Sequence, residues 1–161
     1  MSDSTRLGKF LQLGYVCRNI ERAKQTFAER MGISDWGDME GPMPQLGREP
    51  IQKIALAFRG DVQVELIEPQ LDLPSVYAHA IPDDEVSARI HHFGYVCDDD
   101  AEWDRVHEHH TRLGNPRVAG MDLEMIRYCY FDTYADTGHF TEYFLPGKDM
   151  LAFWDSLPRF P

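Results

Sequence analysis

The first half of the chain alternates apolar and polar positions in short stretches, with one longer amphipathic stretch among them. Residues 9–17 alternate as a half-buried strand does, and residues 20–31 repeat their apolar positions at helical spacing. Asn19 is suited to cap that helix. Two more alternating stretches, 51–58 and 62–68, predict a pair of strands. With a short strand before them, the first half predicts the order β-α-β-β-β.

The same pattern restarts at about residue 89, after a connection that contains two prolines. A strand, a helix ending at Gly114 and three further strands are predicted in the same order. A repeat of this length indicates a duplicated module. The predicted elements of the second half cover residues 89–97, 101–113, 116–119, 124–132 and 138–145.

The chain of 161 residues is expected to form one domain that contains both modules. Residues 34–50 are rich in glycine and proline and predict a long loop, and long loops are often functional. The tail predicts a short helix that packs on the body or on a second subunit. The expected ranges are 8–70 for the first module, 71–87 for the connection, 88–147 for the second module and 148–161 for the tail.

The composition excludes several classes of partner. A net charge of −11 argues against nucleic acid, whose phosphates require a basic face. No apolar run is long enough to span a membrane, and the first residues lack the apolar stretch of a signal peptide. We therefore expect a cytoplasmic protein. The three cysteines give no disulfide framework, and Cys17, Cys97 and Cys129 are expected to be buried.

The two modules share a short motif on their first strands. Residues 12–17 read Gln-Leu-Gly-Tyr-Val-Cys, and residues 92–97 read His-Phe-Gly-Tyr-Val-Cys, 80 positions later. The last strand of each module carries a Glu-x-x-x-Pro motif, and the two glutamates are 77 positions apart. The matched positions hold four residues that can bind a metal ion: Gln12, Glu65, His92 and Glu142.

If the modules pair through a pseudo-twofold axis, these four side chains converge in one cleft. Alternation places Phe10, Gln12, Gly14 and Val16 on one face of the first strand, and the glycine leaves room for another group to approach. One imidazole nitrogen and three oxygens, two of them anionic, suit Zn, Co, Ni, Fe(II), Mn or Mg better than Cu(I). We therefore predict one divalent metal ion.

Other histidines are weaker candidates. His91 could face inwards in place of His92. His139 lies three residues before Glu142, so alternation points it to the opposite face of its strand. The remaining group, expected on a solvated helix face, consists of His107, His109 and His110.

The chain resembles the vicinal oxygen chelate superfamily, which contains glyoxalases, bleomycin-resistance proteins and extradiol dioxygenases. The resemblance rests on Gln12-Leu-Gly-Tyr-Val, Val64-Glu65-Leu-Ile-Glu-Pro69, His92-Phe-Gly-Tyr-Val and Gly138-His-Phe-Thr-Glu142-Tyr. It implies an α+β fold in which two βαβββ modules form an eight-stranded, incompletely closed barrel around a metal site. Members often form homodimers, and some share the site between two chains.

Within the superfamily, the ligand pattern is similar to that of glyoxalase I and methylmalonyl-CoA epimerase. It implies a metal-dependent isomerase, epimerase or lyase that acts on a small enolisable carbonyl substrate through a metal-stabilised enolate. Glu142 is the first choice for the catalytic base and Glu65 the second, and either could serve as a ligand only. No Lys/Arg cluster suited to the phosphates of coenzyme A is evident, and the many aromatic residues allow a hydrophobic substrate.

Two other functions stay open. An Fe(II)-dependent extradiol dioxygenase has two histidines and one glutamate, and here Gln12 takes the position of the first histidine. A non-catalytic binding or resistance protein of the same fold is the second alternative. Bleomycin-binding members usually lack the complete metal set, which this chain retains.

Overall fold

The computed structural model describes residues 6–40, 51–72, 74–83 and 86–161. Residues 41–50 of the predicted loop lie outside this description. The strands are β1 (Lys9–Val16), β2 (Gly37–Glu40), β3 (Ile51–Arg59), β4 (Val62–Pro69), β5 (Arg89–Val96), β6 (Arg117–Asp122), β7 (Ile126–Phe131), β8 (Phe140–Pro146) and β9 (Arg159–Phe160). The helices are α1 (Ile20–Met31), α2 (Asp100–Leu113), α3 (Tyr134–Thr137) and α4 (Lys148–Ser156), with a 3₁₀ helix at Val76–Ala80.

The order β-α-β-β-β occurs in both halves, and the strands join into one sheet. Their spatial order is β2-β3-β4-β1-β5-β8-β7-β6, and β9 pairs with β3. The first strands of the two halves, β1 and β5, are antiparallel neighbours at the centre. Each has the last strand of its own half as a parallel neighbour, β4 beside β1 and β8 beside β5. The eight strands form an open, strongly curled half-barrel, which confirms the predicted α+β fold.

Helices α1 and α2 cover one face of this sheet. The side chain of Asn19 accepts a hydrogen bond from the Arg22 amide at the start of α1, as predicted. Helix α1 buries its apolar stripe against β1, β3 and β4, and α2 buries a matching stripe against β7 and β8. All three cysteines are buried, as expected. Within the described residues, no helix combines the length and the apolar composition that a membrane span requires.

His110 does not lie on a solvated face, which corrects the expectation from the sequence. It is buried on the stripe of α2 formed by Trp103, Val106 and His110. Its ring stacks on Phe131 at a centroid distance of 4.1 Å. The spacing of these three residues is the helical signal that identifies His110 as a core residue.

The other face of the sheet is filled by a second apolar cluster and by the tail. Met150 and Trp154 of α4, with Leu157 after it, pack with residues of β3, β4, β7 and β8. The tail therefore packs on the body of its own chain.

Two β-bulges interrupt the central strand pair at matched positions. The pairing is Phe10 with Tyr95 and then Gln12 with Gly94, so Leu11 is an extra residue in β1. In the same way, His91 is the extra residue in β5. The expectation that Phe10 shares a face with Gln12 was wrong, because the bulge reverses the alternation. Phe10 is exposed and packs edge-on against Tyr95 on the opposite face.

Candidate metal centre

The structure brings the four predicted ligands together within one chain. His92 Nε2 lies 2.8 Å from Gln12 Oε1, 2.9 Å from Glu142 Oε2 and 3.2 Å from Glu65 Oε2. All four side chains are buried. A second chain is not needed to assemble this group, which we call the ligand cluster (Gln12, Glu65, His92 and Glu142).

Two glycines explain why the side chains can converge. In the sheet, Gly14 of β1 pairs with His92 on one side and with Glu65 on the other. Gly94 of β5 pairs in the same way with Gln12 and Glu142. A Cβ atom on Gly14 would lie only 1.9 Å from Cε1 of the His92 ring. Because glycine has no side chain, each of these positions leaves a space that a ligand side chain from the neighbouring strand occupies.

The charges of the cluster suit a divalent cation. Even with a hydrogen on Nε2, His92 could donate to only one of the three oxygens, and Oε2 of both Glu65 and Glu142 is buried without a hydrogen-bond partner. Ligand atoms of Glu65, His92 and Glu142 all lie within 4.8 Å of one another. Two buried carboxylates and two neutral donors would balance a 2+ ion. The donor set therefore fits the metal that the sequence predicted.

The pKa values of the cluster reflect the same concentration of negative charge. Burial alone would lower the pKa of His92, but the adjacent Glu142 and Glu65 raise it to about 9. Burial raises the pKa of Glu142 to about 7, with His92 opposing the shift and Glu65 adding to it. The raised pKa of His92 and the raised pKa of Glu142 both mean that the cluster favours positive charge, from protons or from a cation.

His91 and His92 both face the interior, whereas the sequence suggested that only one of them would. The bulge at His91 places the two rings on the same side of β5. The Nδ1 atoms of the two rings are 2.9 Å apart, and His91 Nε2 lies 3.1 Å from the carbonyl oxygen of Val76. Burial lowers the pKa of His91, and His92 lowers it further. The alternation of the sequence carried no signal for this arrangement.

The cluster lies at the base of a cleft between the two halves, whose empty space is about 580 Å³ when the part open to solvent is included. No lysine or arginine occurs among the described residues that line the cleft. The polar residues at its base are Gln12, Gln63, Glu65 and Glu142, and tyrosines add hydroxyl groups. The apolar walls come from both halves and from α4: Met39, Ile51, Ile54, Leu56, Ile67, Ile126, Phe144, Met150, Phe153 and Trp154.

Gln63 was not identified from the sequence. Gln12 Nε2 donates a hydrogen bond of 2.7 Å to Gln63 Oε1, which turns the Gln12 carbonyl oxygen towards His92. The Gln63 side chain is buried, and its own Nε2 has no hydrogen-bond partner. Its position two residues before Glu65 places it on the same face of β4 as that ligand, but a lone glutamine there gives no signal of function until its partner is known.

His139 lies away from the cluster, as the alternation of β8 predicted. Its ring stacks on Phe93, with centroids 4.1 Å apart, on the face of the sheet that also carries Phe10. It therefore contributes no ligand atom to the cluster.

The fold and the cluster define a class of protein. A model of the Glyoxalase/Bleomycin resistance protein/Dioxygenase superfamily matches residues 11–127, which is more than half of the chain. The chain therefore belongs to that superfamily, as the motifs of its two modules suggested. No curated protein sequence matches it.

Solved structures of the same fold include methylmalonyl-CoA epimerases. The enzyme from Mycobacterium tuberculosis is 19% identical, with a TM-score of 0.63, and the match covers 92% of this chain and 95% of that one. A Streptomyces coelicolor epimerase variant in complex with 2-nitronate-propionyl-CoA is 13% identical, with a TM-score of 0.61 and coverage of 89% and 97%. A hypothetical protein from Bacillus halodurans is 14% identical, with the same TM-score of 0.61 and the same coverage. At these identities the likeness concerns the fold alone.

Proposed function

We propose that this protein is a metal-dependent isomerase, epimerase or lyase of the glyoxalase type, acting on a small enolisable carbonyl compound. The observation that carries this proposal is the buried ligand cluster at the base of an apolar cleft. Membership of the superfamily supports it, because members of this superfamily typically bind a divalent metal ion.

The cluster would hold one divalent ion through Gln12 Oε1, His92 Nε2 and one oxygen each of Glu65 and Glu142. Zn, Co, Ni, Fe(II), Mn and Mg all suit these donors. When bound, the ion supplies Lewis-acid polarisation of a substrate carbonyl, which stabilises the enolate formed by loss of the adjacent proton. The apolar walls restrict water around the reacting atoms, and this strengthens the electrostatic interactions there.

Glu142 is our first choice for the group that moves the proton, with Glu65 as the second. A catalytic base needs a free lone pair close to the proton that it takes, and Glu142 Oε2 is buried in the cluster without a hydrogen-bond donor. Glu65 comes from the other half of the sheet, beside Gly14. It could therefore return a proton to a different position of the substrate.

The cleft favours a substrate with an apolar or aromatic body. Its described lining offers no lysine or arginine for phosphates, whereas the Streptomyces neighbour was solved with a coenzyme A ligand. Gln63 Nε2 is a buried donor without a partner, and we expect it to bind a substrate oxygen. A carbonyl compound with a second oxygen on the next carbon and an aromatic substituent combines these requirements.

A direct test is solvent exchange with 2-hydroxyacetophenone, which has adjacent oxygens, an acidic methylene group and a phenyl ring. Zinc- or cobalt-loaded protein in deuterated buffer should catalyse replacement of the methylene protons by deuterium. The loss of the methylene signal in proton NMR spectra measures this exchange. Glu142→Gln should slow the exchange by roughly 10²-fold or more. Glu124→Gln, which changes an exposed glutamate, should leave the exchange rate unchanged. Exchange at the same rate in wild type and in Glu142→Gln would contradict the assignment of Glu142. No exchange by metal-loaded wild type, with this compound or with aliphatic hydroxyketones, would contradict the proposed reaction.

A further inference from the structure

His91 lies directly behind His92 and outside the ligand cluster. Its ring packs against aromatic neighbours, with centroid distances of 4.8 Å to Phe140, 4.9 Å to Tyr77 and 5.6 Å to Tyr130. One ring nitrogen faces His92 and the other faces the backbone at Val76. The side chain is fully enclosed, so both nitrogens must find their partners within the protein.

The backbone fixes the positions of the protons along this chain of contacts. The carbonyl oxygen of Val76 can only accept, so His91 Nε2 must carry the hydrogen that it donates. The Nδ1 atom of a neutral His91 then has only a lone pair, so His92 must carry its hydrogen on Nδ1 and donate it. In neutral His92 this leaves a lone pair on Nε2, the atom that faces the other three members of the cluster.

We propose that His91 is a positioning residue, which holds His92 in the tautomer and orientation that present Nε2 to a divalent ion. This inference rests on the metal role proposed for the cluster, and it adds a residue from outside that cluster. Metal-bound histidines depend in general on the partner of their second ring nitrogen. Here the partner is a second histidine, anchored in turn to a backbone carbonyl.

The first half of the chain has no counterpart to this contact. The residue matched to His91 is Leu11, the other bulge residue, which cannot accept a hydrogen bond. Gln12 is an amide and has no tautomers to select. The orientation of the Gln12 side chain is fixed by Gln63, whose Oε1 accepts the hydrogen bond from Gln12 Nε2. Each half therefore orients its own neutral ligand, with a different residue.

The first experiment measures zinc affinity by competition with a chromophoric chelator. His91→Phe keeps an aromatic ring but removes the acceptor, and it should weaken zinc binding by about 10–100-fold. His91→Asn retains an acceptor near the position of Nδ1 and should recover most of that loss. His139→Phe replaces another stacked histidine ring, outside the cluster, and should bind zinc as the wild type does. Equal zinc affinity in wild type and His91→Phe would overturn the inference.

The second experiment is independent of affinity and of catalysis. Long-range nitrogen-15 NMR spectra of the histidine side chains should place the His91 hydrogen on Nε2 and a hydrogen on Nδ1 of His92, in both metal-free and zinc-loaded protein. A His91 hydrogen on Nδ1 would overturn the inference. Failure of the proposed reaction gives a different result, in which zinc binds and the tautomers are as expected but 2-hydroxyacetophenone does not exchange.

Discussion

The two halves of the chain have the same backbone plan but contribute different chemistry to the cluster. Each half supplies a first strand with a bulge, a glycine two residues after the ligand, and a parallel last strand with a glutamate. The first half adds a neutral amide oxygen from Gln12, and the second adds an imidazole nitrogen from His92. The duplicated backbone therefore determines where the ligands lie, while single substitutions determine which donor atoms they present.

The surroundings of the two ligand pairs differ as well. His92 and Glu142 have an aromatic environment that includes His91, Tyr130 and Phe140. Gln12 instead has the amide of Gln63 as its partner. Glu142 is also more deeply buried than Glu65, with 3% of its surface exposed against 9%. Glu65 of the first half is therefore the most accessible member of the ligand cluster.

The largest expected difference between the halves concerns the two glutamates. At saturating zinc, Glu142→Gln should lower the rate of deuterium exchange by roughly 10²–10⁴-fold, because the group that moves the proton is lost. Glu65→Gln should chiefly weaken zinc binding and reduce exchange less. Exchange rates and zinc affinities measured for both variants test this difference between the two glutamates. A larger loss of exchange in Glu65→Gln would reverse the two roles.

The two glycines test the space on which the site depends. Gly14→Ala puts a Cβ 1.9 Å from the His92 ring and should lower the free energy of unfolding by about 1–3 kcal/mol and weaken zinc binding. Gly94→Ala brings its Cβ to 2.7 Å from Phe144 and 2.9 Å from Gln12, so the loss should be smaller. Urea unfolding and zinc titration measure both effects. Equal or reversed losses would show that the His92 ring is not confined as described.

Gln12→His would give the first half the donor of the second. Gly94 leaves an opening opposite residue 12 as Gly14 does opposite His92, so the imidazole should fit. Zinc affinity should rise by about tenfold, or ~1.4 kcal/mol, because imidazole is a better zinc ligand than an amide oxygen. Chelator competition measures the change. Weaker zinc binding in a folded variant would mean that the two halves are not interchangeable at this position.

A smaller effect concerns His110, a buried histidine of helix α2. Burial, followed by His109 and His107, lowers the pKa of His110 to about 4, below an unfolded value near 6.5. Between these two pH values, His110 binds a proton in the unfolded chain but not in the folded chain. Protonation of His110 in the unfolded chain therefore lowers the free energy of unfolding as the pH falls from about 6.5 to about 4. His110→Phe should lose less stability over that interval than the wild type. Parallel unfolding curves at pH 7 and pH 4.5 test it, and an equal loss would contradict the assignment.

The repeated motifs were enough to predict most of the fold and to select the four members of the ligand cluster. Gln12 and His92 could be paired because the glycine and the Tyr-Val-Cys segment after them recur 80 residues later. The faces of Phe10 and His91 could not be predicted in the same way. They depend on bulges, which arise from the register between two strands that are distant in the sequence.

Gln63 and the walls of the cleft lay beyond prediction for a related reason. A single glutamine on an apolar strand gives no signal until its partner is known, and that partner, Gln12, lies on a neighbouring strand. The cleft draws its lining from six strands, the 3₁₀ helix and the tail, so no local pattern describes it. The predicted homodimer and the cytoplasmic location stay predictions.

The central claim is that one divalent ion binds where the two halves meet. Anomalous diffraction from zinc-loaded crystals, recorded at the zinc absorption edge, tests it most directly. We expect one strong peak at about 2.0–2.2 Å from His92 Nε2 and from oxygens of Glu65 and Glu142, with Gln12 Oε1 facing it. A cluster without a peak in crystals that contain zinc elsewhere, for example at His107 and His109 on α2, would contradict it.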